Sequence, residues 1–114
     1  GTFTFLLPAT REVPRRLQHP KRNTVGLRVP DHPVVAALLA ELAEPILSTT
    51  LILPGSDAPL NDPEEIRERL QQRVDLVIDA GPCPAVPTTV VDLAAEPGTI
   101  VRLGAGDPAR LGLA

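Results

Sequence analysis

The sequence predicts an α+β fold with a mixed β-sheet, on three observations. Six stretches have the composition or alternation of strands, while only two carry clear helix signals. Their order is not a regular βα repeat, so a uniformly parallel sheet is excluded. The chain has 114 residues, room for one domain at roughly 100–200 residues per domain, which excludes a two-domain enzyme.

Each element has a local reason. Residues 2–7 are rich in Phe, Thr and Leu and stop at Pro8, as a first strand would. Residues 13–18 hold one or two helical turns. Residues 24–29 alternate into a strand that stops at Pro30. Asp31 then caps a helix over 33–43, with Pro33 in its first turn. That helix is almost wholly apolar through Val34, Val35, Ala36, Ala37, Leu38 and Leu39, which predicts burial on much of its circumference. Residues 46–53 read as a strand between Pro45 and the Pro54-Gly55 turn. Next comes the sharpest signal, Asp62-Pro63-Glu64-Glu65, with a cap, a proline at the first helical position and two anions at the positive end of the dipole. It predicts a helix over 63–72 with Ile66 and Leu70 on one face. Residues 75–79 form a short strand ending at Ala80-Gly81-Pro82. Residues 88–93 and 99–103 are the last two strands, with Glu96-Pro97-Gly98 turning between them.

Composition removes several functions. The apolar share is 43% without Trp, Tyr or Met, so the core is aliphatic. Two Phe are too few for recognition of single-stranded nucleic acid by base stacking. A net charge of −3 and long apolar runs argue against disorder despite fourteen prolines. One cysteine, Cys83, makes neither an internal disulfide nor a Cys-based zinc site, which suits a reduced, cytoplasmic location. Without an 18-residue apolar stretch, no membrane partner is expected. The first residues, Gly1-Thr2-Phe3-Thr4, enter a strand at once without an initiator Met, and predict that the chain is the back portion of a longer one.

Familiar catalytic strings are missing. His19 and His32 have no second ligand at metal-binding spacing, and no HExxH, P-loop or GxSxG string occurs, so no metal and no catalytic nucleophile are assigned. Cys83 sits in the rigid string Gly-Pro-Cys-Pro with no basic neighbour and reads as an inert thiol. Charge is more informative. From Arg11 to Arg28 six cations face the single anion Glu12, a local charge of +5 that leaves −8 for the rest. The stretch reads either as a solvated loop or as a site for the phosphate of a nucleotide or RNA.

Five blocks, taken in order, resemble the YrdC/YciO family, which includes the threonylcarbamoyl-AMP synthases. They are Gly1-Thr2-Phe3-Thr4-Phe5, Thr24-Val25-Gly26-Leu27-Arg28-Val29-Pro30-Asp31-His32-Pro33, Ser48-Thr49-Thr50-Leu51-Ile52-Leu53-Pro54-Gly55, Pro87-Thr88-Thr89-Val90-Val91-Asp92 and Val101-Arg102-Leu103-Gly104. The resemblance implies a twisted mixed sheet with flanking helices, of which residues 1–114 are the carboxy-terminal part. It also implies a concave basic cavity that holds ATP with Mg, threonine and bicarbonate, and no tightly bound cofactor. In such a synthase the threonine carbamate attacks the α-phosphate of ATP and displaces pyrophosphate. The resulting adenylate serves to modify adenosine 37 of tRNA. Nucleotidyl transfer of this kind needs positioning and charge stabilisation more than a protein nucleophile.

Carried onto this sequence, the resemblance makes Arg28 and Thr88 substrate-binding candidates, with Ser48 and Thr50 beside them, and Arg102 a nucleotide-binding one. Arg28 reads otherwise as a surface salt bridge and Thr88 as ordinary strand composition, while Asp92 reads as structural. Arg15, Arg16, Lys21 and Arg22 are the candidates for contact with double-stranded RNA or tRNA, recognition that relies on shape and backbone. Two departures matter. The synthases carry Ser-x-Asn where this chain has Thr50-Leu51-Ile52, and the Leu-Ser-Thr-Thr-Leu-Ile-Leu-Pro-Gly string resembles the YciO branch. The family's amino-terminal Lys-x-Arg block has no counterpart here, so this chain is not expected to make the adenylate alone. Three readings follow: a nucleotide-binding YciO-like protein, an RNA-binding module without catalytic activity, or an inactive fragment.

Overall fold

The computed structural model describes residues 1–83 and 86–113 and divides into two compact units, Gly1–Ala36 with Val86–Ala114, and Ala37–Ala85. The first unit holds a four-stranded sheet of β1 (Phe3–Pro8), β2 (Thr24–Leu27), β3 (Thr89–Asp92) and β4 (Thr99–Arg102), in the order β2-β1-β3-β4. β1 pairs antiparallel with β2 and parallel with β3, and β3 pairs antiparallel with β4, so the sheet is mixed. The architecture is α+β, as the sequence predicts.

Alternation gives the sheet two distinct faces. Phe3 and Phe5 stack with centroids 5.8 Å apart, and their register partners Thr89 and Val91 are fully buried. Beneath them Gly106 lies so close that an added Cβ would meet the Phe3 ring at 2.6 Å. The Thr89 hydroxyl donates to the Gly106 carbonyl (2.7 Å) and accepts from the Gly104 amide (2.9 Å), which straps the segment after β4 to the sheet. Thr4, Leu6 and Val90 occupy the opposite face.

Helix α1 (Pro33–Leu42) carries the chain from the first unit into the second. Its cap differs from the sequence reading: His32, not Asp31, holds the end, with Nδ1 accepting from the Val34 amide at 3.2 Å. Pro33 takes the first helical position and therefore leaves the cap to the residue just before it. Imidazole Nδ1 is as many bonds from Cα as a capping carboxylate oxygen. Nor is α1 buried on much of its circumference, since it has no buried residue and Val35, Leu38 and Leu39 are only half-buried. An apolar composition creates demand for cover, but only a partner element supplies it, and no strand or helix among the described residues packs extensively along α1.

The second unit holds α2 (Pro63–Leu70), two residues shorter than predicted, where Asp62 accepts from the Glu64 amide at 3.1 Å and Pro63 opens the helix. Asp62→Ala is expected to lower stability by about 0.5–2 kcal/mol, read by denaturant unfolding, while Asp62→Asn retains the acceptor and stays near the parent. Residues 46–53 and 75–79 are not strands. Strand composition needs a neighbouring edge to become a strand, and here the polar groups close locally. The Leu60 amide bonds to the Leu51 carbonyl (2.9 Å), and Asp79 turns back to accept from the Gly81 amide (2.9 Å). Exposed Cys83 pairs its backbone with Asn61, whereas Pro84 of the Gly-Pro-Cys-Pro string lies outside the described residues.

Candidate functional site

Strand pairing brings Thr4, Thr88 and Arg102, far apart in sequence, to one end of one sheet face. The Thr4 and Thr88 hydroxyls lie 2.7 Å apart. Arg102 lays one edge of its guanidinium on Thr88, with Nε and Nη2 donating to the Thr88 carbonyl at 3.1 and 2.8 Å and Nη2 also reaching the hydroxyl at 3.2 Å. That edge is spent on positioning, which leaves Nη1 for anything outside.

A register shift puts Arg102 there. Asp92 pairs with Thr99 and Val91 with Ile100, yet Val90 pairs with Arg102, so Val101 is the extra residue of a bulge. In an unbroken ladder Arg102 would stand opposite Thr89 and point to the buried face. The bulge turns it to the face of Thr4 and Thr88.

Arg28 follows the last residue of β2. A Cβ on Gly26 would meet Leu6 and Thr4 side chains at 3.6 and 3.7 Å, so Gly26 belongs to the Thr4 face, and alternation assigns Arg28 to the same face. Three strand spacings of about 4.8 Å give roughly 14 Å between the backbones of β2 and β4, a gap that two extended arginines reaching inward can close. Exposed Arg28 is in no ion pair, since the one ion pair among the described residues is Arg69 with Glu65. Thr4, Thr88 and Arg102 thus form one hydrogen-bonded cluster without a carboxylate, and Arg28 stands on the same face.

Comparisons with known proteins identify the family. The Sua5/YciO/YrdC model, described as telomere recombination, matches residues 1–104. The chain belongs to the Sua5/YciO/YrdC family. Within that family it is 52% identical over 107 residues to uncharacterised protein YciO of Escherichia coli K12, covering 94% of this chain and 52% of that protein. An uncharacterised Haemophilus influenzae protein is likewise 52% identical, over 96% of this chain and 53% of its own length. The threonylcarbamoyl-AMP synthase of Bacillus subtilis is a more distant relative, 30% identical over 91% of this chain and 30% of its own length. The crystal structure of E. coli YciO superposes with a TM-score of 0.87 at 52% identity, over 95% of this chain and 52% of that one. The chain spans about half the length of the YciO relatives it matches.

Against this Sua5/YciO/YrdC background the predicted site residues separate. Thr88 and Arg102 touch, and Arg28 shares their face. Ser48 and Thr50 are exposed residues of the second unit, in a stretch without strand structure, and Ile52 beside them is 49% exposed. Arg15, Arg16, Lys21 and Arg22 are exposed on the loop between β1 and β2. Sequence reasoning missed Thr4, which is indistinguishable from any other strand threonine until β1 and β3 pair in parallel. The available signal was its alternation with Phe3 and Phe5, which leaves a hydroxyl on the opposite face from the rings. No helix of the described residues is long and apolar enough to cross a membrane.

Proposed function

We propose that the Arg28, Thr88 and Arg102 face binds the phosphate oxygens of a nucleotide substrate, ATP or AMP, in a protein related to the threonylcarbamoyl-AMP synthases. The supporting observation is the donor surplus of the cluster. Of the two hydroxyl hydrogens on Thr4 and Thr88, only one can lie between the two oxygens. The other, with Arg102 Nη1 and the Arg28 guanidinium, has no acceptor among the hydrogen bonds of the described residues and is left for one from outside. Deprotonated oxyanion oxygens only accept, so those of ATP with Mg, of a threonine carboxylate and of bicarbonate all suit the site, and charge-assisted bonds to them are the strong ones. Such a site promotes adenylate formation by holding the carbamate and α-phosphate in line and neutralising charge on the displaced pyrophosphate.

Calorimetric titration with ATP and AMP tests this reading. Arg28→Ala and Arg102→Ala are each expected to weaken binding about 10- to 100-fold, from loss of a charged hydrogen bond worth roughly 1.5–3 kcal/mol. Arg69→Ala, which removes only an exposed ion pair of 3.3 Å on α2, should bind as the parent does. Equal affinities across the three variants would reject the assignment.

A second reading rests on the five exposed cations Arg11, Arg15, Arg16, Lys21 and Arg22, none in an ion pair among the described residues. They suit contact with the backbone of double-stranded RNA. A steep loss of duplex affinity with added salt supports that reading, and a shallow dependence favours the small-molecule site.

A further inference from the structure

The loop over residues 9–23 is tied together at every stage. Its ends meet through the Ala9 amide on the Asn23 carbonyl (2.9 Å) and the His19 amide on the Thr24 carbonyl (2.8 Å). Inside, the Leu17 amide bonds to the Pro14 carbonyl (2.9 Å) and Gln18 Nε2 to the Val13 carbonyl (2.8 Å). His19 is the pivot. Its carbonyl accepts from the Asn23 amide (3.0 Å), and its Nδ1 accepts from the amides of both Lys21 and Arg22 at 3.2 Å. A ring nitrogen that accepts carries no proton, so the neutral imidazole has its hydrogen on Nε2 and presents a donor away from the turn.

This framework borders an open recess of about 810 Å³ whose polar lining includes Thr10, Arg11, Arg15, Gln18, His19 and Asn23. No carboxylate lines it, and neither guanidinium is in an ion pair among the described residues. Gln18 has spent a donor on Val13. What remains along the lining is two guanidiniums without an ion pair and the His19 imidazole, whose Nε2–H is not used in the turn. Two unneutralised guanidiniums repel each other, and a doubly charged oxyanion between them removes that cost while accepting from all three donors.

We propose that the loop over residues 9–23 is a second oxyanion site, selective for a phosphate dianion such as inorganic phosphate or a phosphomonoester, with Arg11, Arg15 and the His19 Nε2–H as its ligands. It is separate from the Arg28, Thr88 and Arg102 face. The loop joins β2 at Thr24 and Arg28 lies beyond the other end of that strand, about 14 Å away at 3.4 Å per residue. A concave recess with two cations matches one dianion better than the singly charged phosphates of a duplex, which call for a broad surface.

The test is imidazole NMR and calorimetry on the chain, with inorganic phosphate, methyl phosphate as monoester and dimethyl phosphate as a mimic of the nucleic-acid backbone. The long-range nitrogen spectrum should show His19 protonated on Nε2 with Nδ1 accepting. Phosphate and methyl phosphate should move its signals saturably, and dimethyl phosphate should bind about tenfold more weakly. Arg11→Ala and Arg15→Ala should each weaken methyl phosphate by about tenfold, the loss of one charged hydrogen bond. His19→Asn replaces Nδ1 by an amide oxygen at the same distance from Cα, so it should keep the thermal midpoint of the parent and still lose affinity severalfold. Arg69→Ala, which touches neither site, should leave methyl phosphate binding unchanged, and reading the shifts of His19 itself keeps this result independent of the nucleotide assignment. Any one of three outcomes overturns the proposal: no saturable shift of His19, affinity unchanged in both arginine variants, or dimethyl phosphate and duplex RNA binding as well as the monoester. The last would mark the loop as a nucleic-acid surface.

Discussion

Gly104→Ala is expected to destabilise the chain by roughly 3 kcal/mol or more. A Cβ at this position would stand 2.3 Å from the Pro87 carbonyl oxygen and 2.6 Å from that of Thr88. Both atoms are backbone, so no side-chain rotation relieves the clash. The segment after β4 must lift from β3, and that breaks the Ala105 amide bond to the Pro87 carbonyl (2.9 Å) and the Gly104 amide bond to Thr89 (2.9 Å). The Thr88 carbonyl that receives Arg102 lies in the same place, so the nucleotide affinity proposed for that face should fall with the stability. Urea unfolding checks the prediction. A midpoint equal to that of the parent would show that residues 104–106 do not pack on β3 as described.

Thr89→Val is expected to have a comparable effect, about 2–6 kcal/mol. Valine matches threonine in shape, so packing against Phe3 is retained and only hydrogen bonding changes. Thr89 is fully buried, and its hydroxyl is both acceptor for Gly104 and donor to Gly106. Losing it strands a donor and an acceptor, each costing roughly 1–3 kcal/mol when left unpaired out of water. The total is a large share of a typical domain stability of about 5–15 kcal/mol. Thr89→Ser keeps the hydroxyl and removes one methyl, for roughly 1 kcal/mol. Equal unfolding midpoints for the Val and Ser variants would show that the strap contributes through packing alone.

These two positions show how function and fold share atoms. Successive residues Thr88 and Thr89 point to opposite faces, one toward the arginine cluster and the other toward the buried strap. Ordinary strand composition accounts for both in sequence, and only the pleat assigns them different work. The family blocks made Thr88 legible as a candidate, but nothing in the sequence separates Thr89 from it. Ser48 and Thr50 were legible in the same way, yet their segment does not enter the sheet. A resemblance carries residue types forward, whereas contacts must still be made by pairing.

Punctuation and capping are the part that the sequence by itself determined. Pro8, Pro33 and the Asp62-Pro63 start act through φ restriction and a missing amide within one or two residues, so β1, α1 and α2 begin or end close to where these signals stand. The family, the mixed sheet and the basic character of the loop between β1 and β2 were likewise readable before any coordinates. Tertiary structure decided the rest. A strand exists only beside a partner, which is why residues 46–53 and 75–79 remained unpaired despite their composition. The face on which a strand residue stands depends on register, and one extra residue at Val101 moves Arg102 from the buried face to the face of Thr4 and Thr88. No local property of the Val101-Arg102 pair encodes that choice, because a bulge is a mismatch between two strands and belongs to neither alone.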